Sequence, residues 1–516
     1  MFKVTNVYVI GMFATVGGLL FGCDISSMSG LVSNPVYIGY FNVDSSALSG
    51  AVVAVMSAGS FVGAIIAGFL SDHLGRKETI LISACCWVVG SILMCAAQNV
   101  GMLIVGRIIN GLAVGGASMV VPVYQAEIAP RNIRGRIVSF QQWAITWGIL
   151  IQYLVQYGCS YIPGGNTWPG GNTAVFRIPW GVQMVWGIGL AIFILGFPQS
   201  PRWLADKDRW DETLEVLADL HGKGDVNNEE VQYEYREIQA AVKFDREQGA
   251  NSYIECFKQG YAGRTFLGMC IQMWSQLTGM NVMMYYITFV FQGAGLSGNT
   301  ANLTASLVQY ILNVLATIPA ILYLDRWGRR PTLIYGAFAM CIFLFIVGAI
   351  MGARGHAVSD PTNPAVNWAL AEGDTSGSIA LIVMIYLFVC SFATSWGPCS
   401  WTYPSEIFPL RIRSKAVALA TATNWAFNTG LAEWAPPMMQ SINYKAYFFY
   451  AIMNLAAGIH VFLACPETKG RTLEEVDALF NSGVPAWKSK HVDSHELAAK
   501  LEGDDANIEK KEVESA

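Results

Sequence analysis

Charged residues are the scarcest thing in this chain: Lys, Arg, Asp and Glu make up 13% of 516 residues, while 53% are apolar. A soluble domain carries about 25% charge, so an ordinary water-facing surface is excluded. Cysteine patterning is missing too. Of 11 Cys none forms a C-x-x-C pair, most lie inside apolar runs, and Cys159 stands alone in its loop. Neither a disulfide framework nor a metal site is expected, only small packing residues. There is no Gly-rich loop ending in Gly-Lys-Ser/Thr, so direct drive by ATP is not expected, and no cofactor is. The net charge of −5 comes largely from an acidic tail and says little about partners; no nucleic-acid partner is expected.

What is present is a series of apolar runs of about 20 residues, the length a helix needs to cross a bilayer. Twelve are read, at about 7–29, 47–70, 79–97, 102–124, 138–158, 180–197, 266–292, 304–324, 332–352, 379–402, 415–433 and 446–465. The expected fold is an all-α membrane protein with a lipid bilayer as its solvent. Many of the 16 Trp and 21 Tyr stand near the ends of runs, as in interfacial belts. The first run begins almost at once and lacks a small-residue cleavage site, so it is expected to stay as a span. Between the sixth and seventh runs, Asp211, Glu212, Glu215, Glu229, Glu230, Glu234, Arg236, Glu237, Lys243 and Arg246 alternate with spaced apolar residues. Short amphipathic helices on a membrane surface are expected there. The polar tail after about 485 is expected to be disordered.

Three motif pairs recur in fixed order. Asp72-His73-Leu74-Gly75-Arg76-Lys77 is matched by Asp325-Arg326-Trp327-Gly328-Arg329-Arg330. Tyr124-Gln125-Ala126-Glu127-Ile128-Ala129-Pro130 is matched by Tyr403-Pro404-Ser405-Glu406-Ile407-Phe408-Pro409, and Pro198 to Arg202 by Pro466 to Gly470. Each second copy follows its first by about 250–280 residues, which marks an internal repeat. The expected organisation is a six-helix bundle at 1–198, linker helices at 199–264, a second six-helix bundle at 265–466, and a C-terminal segment at 467–516. Two such halves, related by an axis along the membrane normal, define the major facilitator arrangement, with a substrate site at mid-membrane between them. Arg76, Lys77, Arg131, Arg134, Arg136, Arg202, Arg326, Arg329, Arg330, Arg411, Arg413 and Lys415 all fall on one side of this topology. That side, with both termini, is expected in the cytoplasm of a plasma-membrane protein.

The same motifs carry a resemblance. With Gly106-Arg107-Ile108-Ile109-Asn110-Gly111, Arg134-Gly135-Arg136, Ser200-Pro201-Arg202-Trp203-Leu204 and Gln276-Leu277-Thr278-Gly279-Met280-Asn281, the chain resembles the sugar porter family of the major facilitator superfamily from about residue 8 to 480. Met273 to Ile287 looks most like yeast and fungal high-affinity glucose and xylose transporters. The resemblance implies a monosaccharide substrate and no enzymatic activity.

A neutral sugar offers hydroxyls that both donate and accept, and amide side chains do the same. Uncharged groups at mid-span are Gln142, Gln276, Asn281, Asn313, Trp401 and Asn424; these positions also match the family's sugar-binding residues. The alternative is that such an amide only bonds a neighbouring helix, worth about 0.6 kcal/mol. Gly279 after Thr278 suggests a break beside Gln276 and Asn281, since Gly costs about 1 kcal/mol relative to Ala in a helix. Tyr285 and Tyr286 lie further along and are read either as an outer gate or as interface packing. Ser275 stands where relatives often carry a first Gln, so one hydroxyl contact is expected to weaken.

A carboxylate within a span needs a partner or a task. Asp24 in span one and Arg107 in span four match the family's proton site and its partner, which implies a proton as second cargo. Uncoupled, facilitative transport with a static Asp24–Arg107 pair stays open. The repeated loops suggest an inner gate in which Asp72, Arg76, Glu127, Arg134 and Arg136 mirror Asp325, Arg329, Glu406 and Arg413. Gln199 stands where relatives usually have Glu and Glu467 keeps it, leaving the first half one charge short. His221-Gly222-Lys223-Gly224-Asp225 and His356-Ala357-Val358-Ser359-Asp360 show a spacing seen in acyl transfer, but no nucleophile motif accompanies them and solvated turns are the better account. A sugar sensor of the same fold is the rival from another class; its usual long tail is not matched here.

Overall fold

The computed structural model describes residues 5–491, apart from 30, 32–33, 44–45, 131, 166–167, 248–251, 259, 286, 296–298, 359–367 and 372. Span one runs Val7–Ala14 and Val16–Ser29, span two Ser46–His73, three Arg76–Cys95, four Val100–Ile128, five Arg134–Cys159, and six Ala174–Val182 with Met184–Leu195. Span seven runs Ala262–Leu277, Met280–Tyr285 and Ile287–Gly293, eight Asn299–Trp327, nine Arg329–Arg354, ten Thr375–Thr394 with Trp396–Ile407, eleven Arg413–Ile442 and twelve Lys445–Ala464. Among the described residues nine helices are long and apolar enough to cross a membrane. The three left over are spans five, seven and eleven. Span five buries Gln141, Gln142, Gln152 and Gln156, span seven is interrupted, and span eleven buries Asn424 and Asn428. The bundle is thus least apolar where it carries its amides.

The core is apolar, but unlike in a soluble protein so is much of the outer surface. Val185, Ile192, Phe266 and Ile342 point outward and are more than half exposed, a surface that only hydrocarbon solvates well. Inside, a helix bundle in lipid is held by close packing and interhelical hydrogen bonds. Between spans two and three the chain turns on Gly75 at φ 106°, and between eight and nine on Gly328 at φ 91°. A Cβ on Gly328 would lie 2.5 Å from a Glu467 carboxylate oxygen, so Gly is required both for the backbone angle and for the approach.

The linker folds into helices Pro201–Asp206, Trp210–His221 and Glu229–Glu247, followed by a 3-10 turn Tyr253–Phe257. Ser200 caps the first by accepting from the Trp203 N–H, with Pro201 in the first turn, the favoured order at a helix start. Ala205, Leu217, Ala218, Val231, Ile238 and Val242 form its core, and Leu410 from the loop before span eleven packs on it. Three features differ from the expectations. Beyond residue 485, Ala486–His491 forms a 3-10 turn, and Ser489 accepts from the Glu467 N–H at 2.9 Å; residues 492–516 of the expected disordered tail lie outside the described residues. A short antiparallel hairpin, Gly355–Ala357 with Trp368–Leu370, joins spans nine and ten. His221 is not in a solvated turn: its side chain is 4% exposed and faces Glu234. It was misread because the burying partner sits 13 residues on. Ser359 and Asp360 of the second H-x-x-x-D stretch lie outside the described residues.

Candidate functional site

Span seven breaks where Gly279 suggested. The first helix ends at Leu277, Gly279 adopts φ 89°, and the next begins at Met280. The Gly279 Cα faces the Tyr450 ring of span twelve, where a Cβ would lie 2.9 Å from Cγ. The break turns Asn281 back toward Gln276, and the two amides hydrogen-bond.

From there a directed chain of amides runs across spans seven, ten and eleven. Ser57 Oγ of span two donates to Asn428 Oδ1 at 2.8 Å, and Tyr285 OH donates to the same oxygen at 3.2 Å. Asn428 Nδ2 donates to Gln276 Oε1 at 3.3 Å, Gln276 Nε2 to Asn424 Oδ1 at 2.9 Å, and Asn424 Nδ2 to Gln272 Oε1 at 2.6 Å. Gln272 Nε2 ends the chain on the Ser400 carbonyl at 2.7 Å. A carbonyl only accepts, so the terminus sets the orientation of every amide before it. Each buried amide is satisfied by the next, which is what burial without water demands.

The two halves also meet through Trp401, whose Nε1 donates to Gln142 Oε1 at 3.2 Å. Phe21 of span one stands edge-on to Trp425 at 4.6 Å and to Trp401 at 6.3 Å. Trp425 Nε1 donates to Ser118 Oγ of span four at 3.1 Å. The amides are therefore set beside aromatic faces, the pairing of surfaces that a sugar ring needs. Of the six amide and indole positions read from the sequence, Gln276, Asn281 and Asn424 belong to the chain and Gln142 and Trp401 to the second contact. Asn313 is buried, and its Oδ1 has no protein partner among the described residues. Tyr285 joins through Asn428; Tyr286 lies outside the described residues. Gln272, Asn428 and Ser57 were not anticipated. Gln272 precedes Gln276 and Asn424 precedes Asn428 by four residues each, a one-face helical spacing that could have shown both.

Asp24 Oδ2 lies 3.5 Å from Arg107 Nη2, with both side chains almost fully buried. The guanidinium also donates to the Val53 carbonyl at 3.3 Å. Asp24 Oδ1 and Arg107 Nε and Nη1 have no protein partner among the described residues. The contact is single and long, unlike a forked Arg–carboxylate pair.

The forked pairs are at the end of the bundle carrying the basic loops. Arg76 donates to both oxygens of Glu127 at 2.9 and 3.0 Å, and Arg329 to both oxygens of Glu406 at 3.1 and 2.6 Å. Ser200 donates to Glu127 at 2.5 Å, and Thr468 to Glu406 at 2.7 Å. Asp72 lies 3.8 Å from Arg76, and Asp325 3.0 Å from Arg329. Contacts across the halves close this end. Arg413 reaches Glu127 at 3.6 Å and Lys415 reaches Asp72 at 2.7 Å. Asp325 accepts from the Gly135 and Arg136 N–H groups at 3.0 and 2.9 Å. Arg134 donates to Ala126 O and to Arg471 O at 3.1 and 3.3 Å, tying the first half to the C-terminal segment. Lys415 was read only as an orienting charge. At Gln199, the position expected to leave the first half one charge short, Nε2 donates to the neighbouring Glu78 carboxylate.

Two six-helix halves closed at one end, with polar groups held between them, define a carrier of the major facilitator type. A family model described as "Sugar (and other) transporter" matches residues 10–480, and the chain belongs to this family; it is a multi-pass membrane transporter and not an enzyme. It is 53% identical to an MFS glucose transporter of Aspergillus flavus, over 94% of this chain and 92% of that one. It is 44% identical to a high-affinity glucose transporter of Kluyveromyces lactis, over 94% of this chain and 87% of that one. A high glucose sensor of Saccharomyces cerevisiae is 34% identical over 93% of this chain, which spans 62% of the sensor. The solved structure of an MFS proton:xylose symporter bound to 6-bromo-6-deoxy-D-glucose matches with a TM-score of 0.77 and 29% identity, covering 92% of this chain and 99% of that chain.

Proposed function

We propose that this chain carries a glucose-like monosaccharide across the plasma membrane by alternating access, with a proton entering through Asp24. The observation that carries this is the directed amide chain from Ser57 to Ser400, buried at the seam of the two halves beside Trp401, Trp425 and Phe21. Its hydrogen bonds are ones that sugar hydroxyls can replace in kind. Gln142, Gln276, Asn281, Asn313, Trp401 and Asn424 are assigned to the sugar, and Tyr285 to its outer closure.

The excess of Lys and Arg places the basic end and both termini in the cytoplasm. The cross-half contacts of Asp72, Glu127, Asp325, Arg413 and Lys415, backed by the forked Arg76–Glu127 and Arg329–Glu406 pairs, form the inner gate, here shut. Individual surface pairs contribute about 0–1 kcal/mol, and a buried network more. Alternating access needs two states within a few kcal/mol, so a gate of this size can bias the balance without locking it.

Asp24 is assigned as proton acceptor because its single long contact to Arg107 leaves one carboxylate oxygen and two guanidinium nitrogens without protein partners. Rocking of the halves that parts them lets the carboxyl protonate from outside. Uptake of labelled glucose by cells lacking hexose carriers, with and without a protonophore and against a panel of competing sugars, tests both parts. Asp24→Asn is expected to lower uptake at least about tenfold and to remove its dependence on the gradient. Uptake by the variant that stays full and gradient-sensitive takes Asp24 out of the mechanism. A facilitative carrier shows uptake indifferent to the protonophore. A sensor, the reading that the similarity to the yeast protein favours, shows no counterflow in proteoliposomes.

A further inference from the structure

His221 ends the second linker helix, with its two ring nitrogens aimed at different elements. Nδ1 lies 2.7 Å from Glu234 Oε2, and Nε2 lies 3.0 Å from the Ile128 carbonyl oxygen. Neither partner can donate: one is a carboxylate, the other a peptide carbonyl. A neutral imidazole has one N–H, so it can satisfy one of them and must set a lone pair against the other. Only the imidazolium makes both bonds.

The site is built for a cation. Ile128 is the last residue of span four, and the last carbonyls of a helix have no partner within it. The carbonyl of Glu127 accepts from Arg202 Nη1 at 3.0 Å. Two cations thus cap the negative end of the span-four dipole, where positive charge is favoured. The charged groups facing His221 and its partner come from three elements: Glu234 from the third linker helix, Arg202 from the first, and Arg134 from span five; span four contributes the backbone carbonyls of Glu127 and Ile128. Arg202 also pairs with Glu234 at 3.4 Å.

We propose that His221 is a proton-binding site on the cytosolic face that latches the linker to span four and, through the linker, holds the inner gate shut. The linker reaches the second half as well, through Leu410 on its core and through the pair of Glu255 with Arg411. Protonated His221 keeps that bridge anchored, and deprotonation releases one of its two ties. The inference rests on the basic end facing the cytosol.

Burial lowers the affinity of the imidazole for its proton, and Arg202 adds to that, but the Glu234 hydrogen bond and charge and the Ile128 carbonyl outweigh both and raise the pKa above 6.5. Burial works against the Glu234 carboxylate too, yet His221, Arg202 and Arg134 hold it at about 2, so it stays ionised throughout. A raised histidine pKa contributes stability that is complete below 6.5 and lost as pH climbs through the folded value. The latch therefore closes in a mildly acid cytosol and loosens in an alkaline one.

The test is equilibrium exchange of labelled glucose by the full-length protein in proteoliposomes, with pH equal on both sides and stepped from about 6 to about 8.5. Exchange by wild type divided by that of His221→Gln should rise at least about threefold over that range, from the loss of one charge-assisted hydrogen bond, the ratio cancelling the pH dependence that proton binding at Asp24 gives both. The same ratio for His221→Arg should stay at its low-pH value throughout, and Glu234→Gln should move the midpoint to lower pH. A His221→Gln variant that keeps the wild-type step overturns the latch. A second readout needs no transport: the imidazole resonance missing from the His221→Gln spectrum must titrate above 6.5. Titration below that value overturns the latch whatever the exchange rates are. Normal titration with no exchange by wild type overturns the sugar-carrier reading instead.

Discussion

The two halves repeat their loops but not their interiors. In the first half the buried polar chemistry at mid-span includes an ion pair, Asp24 against Arg107, beside the amides of span five. In the second it is neutral: Gln272, Gln276, Asn424 and Asn428 in one hydrogen-bonded line. The register that places Tyr124 opposite Tyr403 also places Arg107 opposite Tyr386, whose hydroxyl donates to the Ala305 carbonyl at 3.0 Å. The buried ion and the half-buried hydroxyl both find a partner, but only the carboxylate of the ion pair can change charge by taking up a proton. Under the proposed function, proton work falls to one half and sugar work to the other, with Gln142 and Ser57 as the first half's contributions to the sugar side.

At the gate the comparison runs the other way: the same job is done with different residues. In the second half Glu467 accepts from the Arg329, Lys469 and Arg330 N–H groups at 2.9, 3.0 and 3.2 Å. In the first half the amide oxygen of Gln199 accepts from the Lys77 and Ser200 N–H groups at 3.2 and 3.3 Å. A carboxylate stands beside it in Glu78, whose counterpart in the second half is Pro331, and the reading that the charge has been relocated there is testable. Helix-end N–H groups need an acceptor, but a carboxylate can stand one side chain away from it.

The largest effect is expected at the forked pairs. Arg329→Ala strands Glu406 and Asp325 together and should destabilise by about 3–5 kcal/mol, the range for breaking a buried pair from one side. Arg76→Ala should cost less, because Glu127 keeps Arg413 at 3.6 Å and Asp72 keeps Lys415 at 2.7 Å. Thermal unfolding in detergent compares the two, and equal losses would erase the asymmetry. Next is Asn424→Ala, which leaves Gln276 Nε2 and Gln272 Oε1 unpaired at about 1–3 kcal/mol each. The KM for glucose should rise at least tenfold, roughly what 1.4 kcal/mol produces, and more than in Gln142→Ala. A smaller shift is expected from Gln199→Glu, which sets a carboxylate against Glu78. Glu78→Gln should rescue it, with a coupling of about 1–2 kcal/mol in the double-mutant cycle. Additive losses would mean that the charge was not relocated. Arg209→Ala, which breaks an exposed linker pair with Glu212, should leave unfolding and uptake unchanged.

Much of this was legible in the residues. Apolar runs are local and repeated, so span number and halves could be counted. Gly279 revealed the break in span seven because a backbone penalty is written at one position. Gln272 and Asn428 were missed although each lies one helical turn from an amide that was chosen. Ser57, a small hydroxyl in an apolar run, carries no such signal. The burial of His221 depended on Glu234 and on the end of span four, and no spacing near His221 pointed to either.

Sequence alone determined a chain too poor in charge for water, its twelve crossings, its duplication, and the end that carries the basic loops, because each follows from composition or short-range pattern. Tertiary structure alone decided which amides face one another, that Asp24 and Arg107 touch at a single point, that Gln199 bonds Glu78, and that His221 meets two acceptors. These depend on directional bonds between helices far apart in the chain, and a hydrogen bond has no existence until both of its atoms are placed.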